Sequence, residues 1–123
     1  MQEQMGRCLL CAPFFSSVCL AANAILVAGD ESQRLEFLPQ IAAGTTATLA
    51  FTGTEAGRGG GQWGGEAVQL NAQKTAAGYQ LNGKLRYIPD GASAQLLVVA
   101  ARLDGSKAED GICLFVVPAS PPH

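Results

Sequence analysis

Hydrophobic and polar positions keep a helical rhythm as far as Gly44 and then change to the alternation of strands. Met1 to about Leu10 is compatible with a short helix. Val18–Val27 is a stronger one, ended by Gly29, with Pro13–Ser17 as the joint between the two and Ser16 or Ser17 placed to cap the second. Asp30 or Ser32 can cap the next helix, where Leu35, Phe37, Leu38, Ile41 and Ala42 recur on one side. Pro39 either ends that helix or begins a new turn within it, and Gly44 closes the helical part.

Thr45–Thr52, rich in Thr, Leu and Phe, reads as a strand. Val68, Leu70 and Ala72 alternate with Gln69, Asn71 and Gln73, which predicts a half-buried strand, and Ala77-Gly78 supplies a turn. Tyr79, Leu81, Leu85 and Tyr87 continue the alternation across an Asn82-Gly83 bend. Leu96–Ala101 is an unbroken apolar strand, the polar loop Asp104–Gly111 follows, and Ile112–Val117 returns as a last strand before Pro118, Pro121 and Pro122. The expected fold class is α+β: helices over 1–44, then an antiparallel β portion over 45–123.

At 123 residues, 48% of them hydrophobic and 15% charged, the chain is a packed domain or parts of two, not a disordered segment. A net charge of -2 without a basic run argues against nucleic acid as a partner. Cys8 to Val27 carries no charged side chain and is about as long as a membrane span. Ala22-Asn23-Ala24 also resembles a signal-peptidase site. Against a span stand Pro13, Ser16, Ser17 and Asn23, and against a signal stands Glu3 beside Arg7, so core helices are expected and no membrane. Cys8 and Cys11 have C-x-x-C spacing, but zinc would need a second ligand pair and the only histidine is His123. Reduced cysteines packed as small hydrophobes, in a cytoplasmic protein, are expected, with no metal.

The densest local signal is Thr52–Gly64, with Thr54-Glu55 running into Gly57, Gly59, Gly60 and Gly61. Gly59-x-Gly61-x-x-Gly64 matches a dinucleotide fingerprint, yet the residues after it alternate as a strand instead of opening a helix, and no Gly-Lys-Ser/Thr is present. The segment is either a backbone surface that a ligand can approach closely or a long surface loop.

The order of these segments resembles the acyl-CoA dehydrogenase family. Leu38-Pro39-Gln40-Ile41-Ala42-Ala43-Gly44, a strand, then Thr54-Glu55 and glycines follow the family's "LP-x-[IL]-A-x-G" and "T-E-P-G-A-G-S-D". Gly78–Lys84 is similar to "G-Y-x-L-N-G-x-K", Leu96–Arg102 to the strand ending "A-R", and Glu3–Arg34 to "E-x-x-G-R", "A-P-F-F-S" and "G-D-E-x-Q-R". The resemblance implies the end of a helical domain followed by the first part of a β-barrel middle domain. It further implies FAD as cofactor, an acyl-CoA thioester desaturated across its α,β bond, electron-transferring flavoprotein as acceptor, and a homo- or hetero-oligomer.

Position by position, the resemblance places Phe51, Gly53 and Thr54 at the flavin's pyrimidine edge. It places Gly59 and Gly60 where the loop meets the cofactor, Gly60 also at the substrate, and Tyr87-Ile88-Pro89 on the family's flavin-side "W-I-T". The sequence departs from the pattern at Ala56, where the family has Pro, and at Gly60-Gly61, where it has Ser-Asp. Pro89 brings neither a hydroxyl nor an N–H. The family's catalytic glutamate belongs to a helical bundle beyond the part that is matched, so neither Glu55 nor Glu66 is a candidate base. With His123 partway through the middle domain, no catalytic residue is assigned and the chain alone is expected to be inactive. The alternatives are a noncatalytic subunit packing against a complete dehydrogenase, or a small exported β protein.

Overall fold

A computed structural model describes residues 1–51, 64–106 and 110–119. Helix α1 spans Gln2–Arg7; a stretch of wider π-type turns over Phe15–Ala22 runs directly into α2, Asn23–Ala28, and α3 spans Glu31–Ala42. Strands follow as β1 (Ala47–Ala50), β2 (Asn71–Thr75), β3 (Gly78–Asn82), β4 (Leu96–Leu103) and β5 (Ile112–Pro118). No helix among the described residues is long and apolar enough to cross a membrane.

Strand β4 is the centre of an open, mixed sheet. One stretch of it pairs in parallel with β1 (Ala47 with Leu96 through Ala50 with Val99). Its far end pairs in parallel with β2 at Asn71–Arg102 and Ala72–Leu103. The hairpins β2–β3 and β4–β5 are antiparallel. The helices-then-strands order is thus as expected, while the two ladders to β4 make the sheet mixed where an antiparallel one was read.

The period-two alternation of the strands sorts their side chains into two cores. On one face Ala47, Leu96 and Val98 pack with Ala21 and Ile25 of the helices, flanked by Phe37, Leu38, Ile41, Leu114 and Val116. On the other, Ala50, Leu70, Ala72, Val99 and Ala101 gather Leu81, Leu85, Ile88, Leu97, Phe115 and Val117. Tyr79 of β3 meets Phe115 of β5 in a tilted ring pair, centroids 5.2 Å apart. Within the apolar N-terminal run Ser16, Ser17, Ala21 and Ile25 are buried, Ala21 and Ile25 against the sheet, whereas Leu9, Leu10, Phe15, Val18, Leu26 and Val27 are exposed. The packing of Ala21 and Ile25 does not favour the run's being a cleavable export signal.

Local chemistry explains the helix boundaries. Asp30 caps α3: its carboxylate accepts from the Gln33 N–H at 2.9 Å, and the Gln33 side chain accepts from the Asp30 N–H, a reciprocal capping box. Ser32 donates a further bond to the same carboxylate. These donors favour the charged form and hold the Asp30 carboxyl below its ordinary 3.8. A folded pKa below the unfolded one means the cap's contribution is complete above the unfolded value and is lost as pH falls through the folded one. An NMR titration of Asp30 is expected to show a midpoint below 3.8, moving upward in Ser32→Ala; an unmoved midpoint would remove Ser32 from the cap.

Three expectations are corrected. Ser16 and Ser17 do not cap a helix; both are buried inside the π-type stretch and bond to other parts of the chain. Cys8 and Cys11 are exposed instead of packed as core hydrophobes. The alternation through Leu85 and Tyr87 does not continue β3, which stops at Asn82. Gly83 follows with φ +140, and a Cβ there would lie 2.7 Å from the Leu70 side chain, so the chain turns out of the ladder at a position only glycine suits.

Candidate functional site

Leaving β3, the chain crosses the sheet face opposite the helices. Leu85 and Ile88 cover that core, while Tyr87 between them is thrown outward and is 79% exposed. Its backbone lies in the left-handed region at φ 57, and Asp90 does the same at φ 52. Neither residue is glycine, so each conformation costs energy that surrounding contacts must offset.

Hydrogen bonds from β1 and from the helical layer supply those contacts. The buried Thr48 hydroxyl of β1 donates to the Pro89 carbonyl at 2.7 Å. The buried Ser16 hydroxyl lies 2.6 Å from the Asp90 carboxylate and 3.1 Å from the Pro13 carbonyl; having one proton, it donates to the nearer, charged acceptor. The Asp90 carbonyl accepts from the N–H groups of Ser93 and Ala94, and the Ile88 carbonyl from Gly91, closing a compact turn. The Thr46 hydroxyl then holds the Ser93 carbonyl at 2.8 Å, tying the exit of the turn to the entry of β1. Next to it, the Ser17 hydroxyl donates to the Ala47 carbonyl and accepts from its N–H, both at 3.1 Å, so helix and strand edge are joined there.

The structure therefore brings Tyr87, Ile88 and Pro89 to β1, within reach of the strand that ends just before the half-buried Phe51. Gly53, Thr54, Gly59 and Gly60, together with Glu55, lie outside the described residues. From sequence Ser16 reads as a helix cap, and Thr48 and Asp90 are not singled out. Pro89-Asp90 is a local turn signal, but nothing in the residues near Ser16 points across to it.

Arg102 fastens the stretch that follows the glycine-rich segment. Its Nε donates to the Val68 carbonyl at 3.1 Å, Nη2 to Gly65 at 2.7 Å and Nη1 to Asp110 at 3.1 Å. One guanidinium so ties β4, the Gly65–Ala67 turn and the approach to β5 together. A cleft of about 630 Å³ opens on the helical side between α2, α3 and the β4–β5 pair; apolar side chains line it together with Gln33 and Glu36. Among the described residues no group of three or more His, Cys, Asp or Glu could hold a metal ion.

The chemistry at Tyr87–Pro89 is that of a wall, not of a reacting group. It offers an exposed aromatic ring and an apolar neighbour; proline has no N–H, and the Thr48 hydroxyl is already committed.

No family model matches the chain. It is 31% identical over 125 residues to a cyclohex-1-ene-1-carbonyl-CoA dehydrogenase of Syntrophus aciditrophicus, covering 98% of this chain and 28% of that protein. Among solved structures it is similar to butyryl-CoA dehydrogenase from Megasphaera elsdenii, at TM-score 0.68 and 32% identity, over 84% of this chain and 26% of that one. It is also similar to a glutaryl-CoA dehydrogenase from Mycobacterium smegmatis in complex with FADH2. There the TM-score is 0.65 and the identity 27%, over 84% of this chain and 24% of that one. The chain thus spans about a quarter of the length of the relatives it matches.

Proposed function

We propose that this chain, which belongs to the acyl-CoA dehydrogenase family over about a quarter of its relatives' length, forms one wall of the FAD site in an enzyme that desaturates an acyl-CoA thioester. The observation that carries this reading is the Tyr87–Pro89 segment, pinned to β1 with its aromatic ring outward at a backbone conformation the fold has to enforce. Tyr87 and Ile88 would flank the isoalloxazine, and Pro89 would press on it without donating a bond. Phe51, Gly53 and Thr54 would hold its pyrimidine edge, and Gly59 and Gly60 the side shared with substrate. Bound there, FAD would supply the acceptor for the hydride leaving the acyl β-carbon.

On this reading residues 1–44 belong to a helical domain and 45–123 to the middle domain. The base that removes the α-proton lies beyond the matched stretch, so a polypeptide of these 123 residues is expected to show no turnover of acyl-CoA. Electron-transferring flavoprotein is the acceptor class, and the enzyme acts as an oligomer in a cytoplasmic setting. A noncatalytic subunit and an exported β protein are not favoured.

FAD titration of the folded chain, followed by flavin fluorescence and absorbance with circular dichroism as the folding control, tests the reading. Saturable binding is expected, and a folded chain that leaves FAD free would overturn it. Tyr87→Ala is expected to weaken binding roughly fivefold, the equivalent of about 1 kcal/mol of aromatic stacking. Tyr87→Phe should bind as the parent does, since the ring and not the hydroxyl is used. Unchanged affinity in the alanine variant would take Tyr87 out of the site.

A further inference from the structure

The Ser16–Asp90 bond joins residues 74 positions apart, one in the helical layer and the other at the end of the segment that crosses the opposite face of the sheet. Ser16 is fully buried, and Ser17 beside it is bonded to Ala47 of β1, so the helical partner is held in place. Asp90 sits at φ 52 and closes the turn that begins with Tyr87 at φ 57. Its carboxylate takes the short bond from Ser16 while its carbonyl collects Ser93 and Ala94. A left-handed aspartate is tolerated more readily than most residues, but two such positions three residues apart need an anchor at each end. Thr48 anchors Pro89, and Ser16 anchors Asp90.

We propose that Ser16 and Asp90 are a pair of positioning residues: their hydrogen bond locks the Tyr87–Asp90 turn and so sets the aromatic wall of the cofactor site from the helical layer. The inference rests on the flavin reading and adds to it the device that makes the wall rigid. Without the bond, the turn relaxes its two left-handed residues and the ring loses its fixed pose, although the sheet beneath is untouched. The lock acts through preorganisation of the turn, whose Asp90 carboxylate accepts the Ser16 bond.

The experiment compares the parent chain with Ser16→Ala, Asp90→Ala, the double variant and Asp90→Asn. FAD affinity, the residual fluorescence of bound flavin and amide hydrogen exchange are read in each. Ser16→Ala and Asp90→Ala are each expected to weaken FAD about fivefold, as removal of the Tyr87 ring would, since the bond reaches FAD only through the pose of that ring. The double variant should be no weaker than the worse single one, because both remove the same bond. Asp90→Asn keeps an acceptor oxygen for the Ser16 hydroxyl and is expected to stay within about threefold of the parent. The amides of Gly91, Ser93 and Ala94 should exchange faster in the alanine variants, with the β4–β5 ladder unchanged, and the bound flavin should fluoresce more as its aromatic neighbour loosens. Variants that bind FAD like a binding parent, or additive losses in the double variant, would overturn the lock while leaving the flavin reading intact. A folded parent that binds no FAD would overturn both.

Discussion

Arg102→Ala is expected to lower the unfolding free energy by about 2–4 kcal/mol, read as a lower urea midpoint with an unchanged slope. The guanidinium donates to three backbone carbonyls, and the bonds to Val68 and Gly65 are partly buried, so water replaces them poorly once the side chain is cut. The third, to Asp110, is exposed and contributes little to the sum. Arg102→Lys keeps the charge but not the planar fork that serves Gly65 and Val68 together, and should recover only part of the loss. A midpoint equal to the parent's would show that the Gly65–Ala67 turn holds itself.

A larger effect is expected at Val98. It is 1% exposed in the first half of β4, packed with Ala21, Ile25 and Ala47 where helices and sheet meet. Val98→Asp places a carboxylate there with no partner. The desolvation cost is comparable to the whole stability of a small domain, about 5–15 kcal/mol. The variant should lack a cooperative unfolding transition by circular dichroism. Val98→Ala, which removes two buried carbons, should fold and lose about 2 kcal/mol. Val27→Lys at the exposed end of α2 controls for adding a charge and should stay within about 0.5 kcal/mol. A cooperatively folded Val98→Asp chain would contradict the core assigned here.

Much of this arrangement could be read along the chain. The unbroken run at Leu96 and the alternation at Val68–Gln73 are strand signals strong enough to survive in the fold, and Asp30 with Gln33 forms a cap whose parts are local. What local pattern could not show was partner choice. Leu85 and Tyr87 keep the period of β3, yet Gly83 turns the chain out of the ladder and Tyr87 ends with a left-handed backbone and an exposed ring. Ser16 and Ser17 look like helix caps because they follow a proline, and only the packing of the helix on β1 turns them into buried anchors. For the candidate site, the family resemblance pointed to Tyr87–Pro89, whereas Thr48 and Ser16 act on it across distances that no periodicity encodes.

The sharing of β4 among three partners also orders events in time. The β2–β3 and β4–β5 hairpins join neighbours in sequence, so they close small loops and can form early. The parallel pairing of β1 with β4 begins where Thr46 meets Gln95, 49 positions away, and its closure entropy is met only when most of the chain is in place. Substitutions in β4–β5 should therefore slow folding, whereas those at the β1 contact should mainly speed unfolding. The Tyr87–Asp90 turn, which hangs on β1 through Thr48, becomes native in that last step. The surface it presents is thus expected to mature with the β1–β4 pairing, after the hairpins.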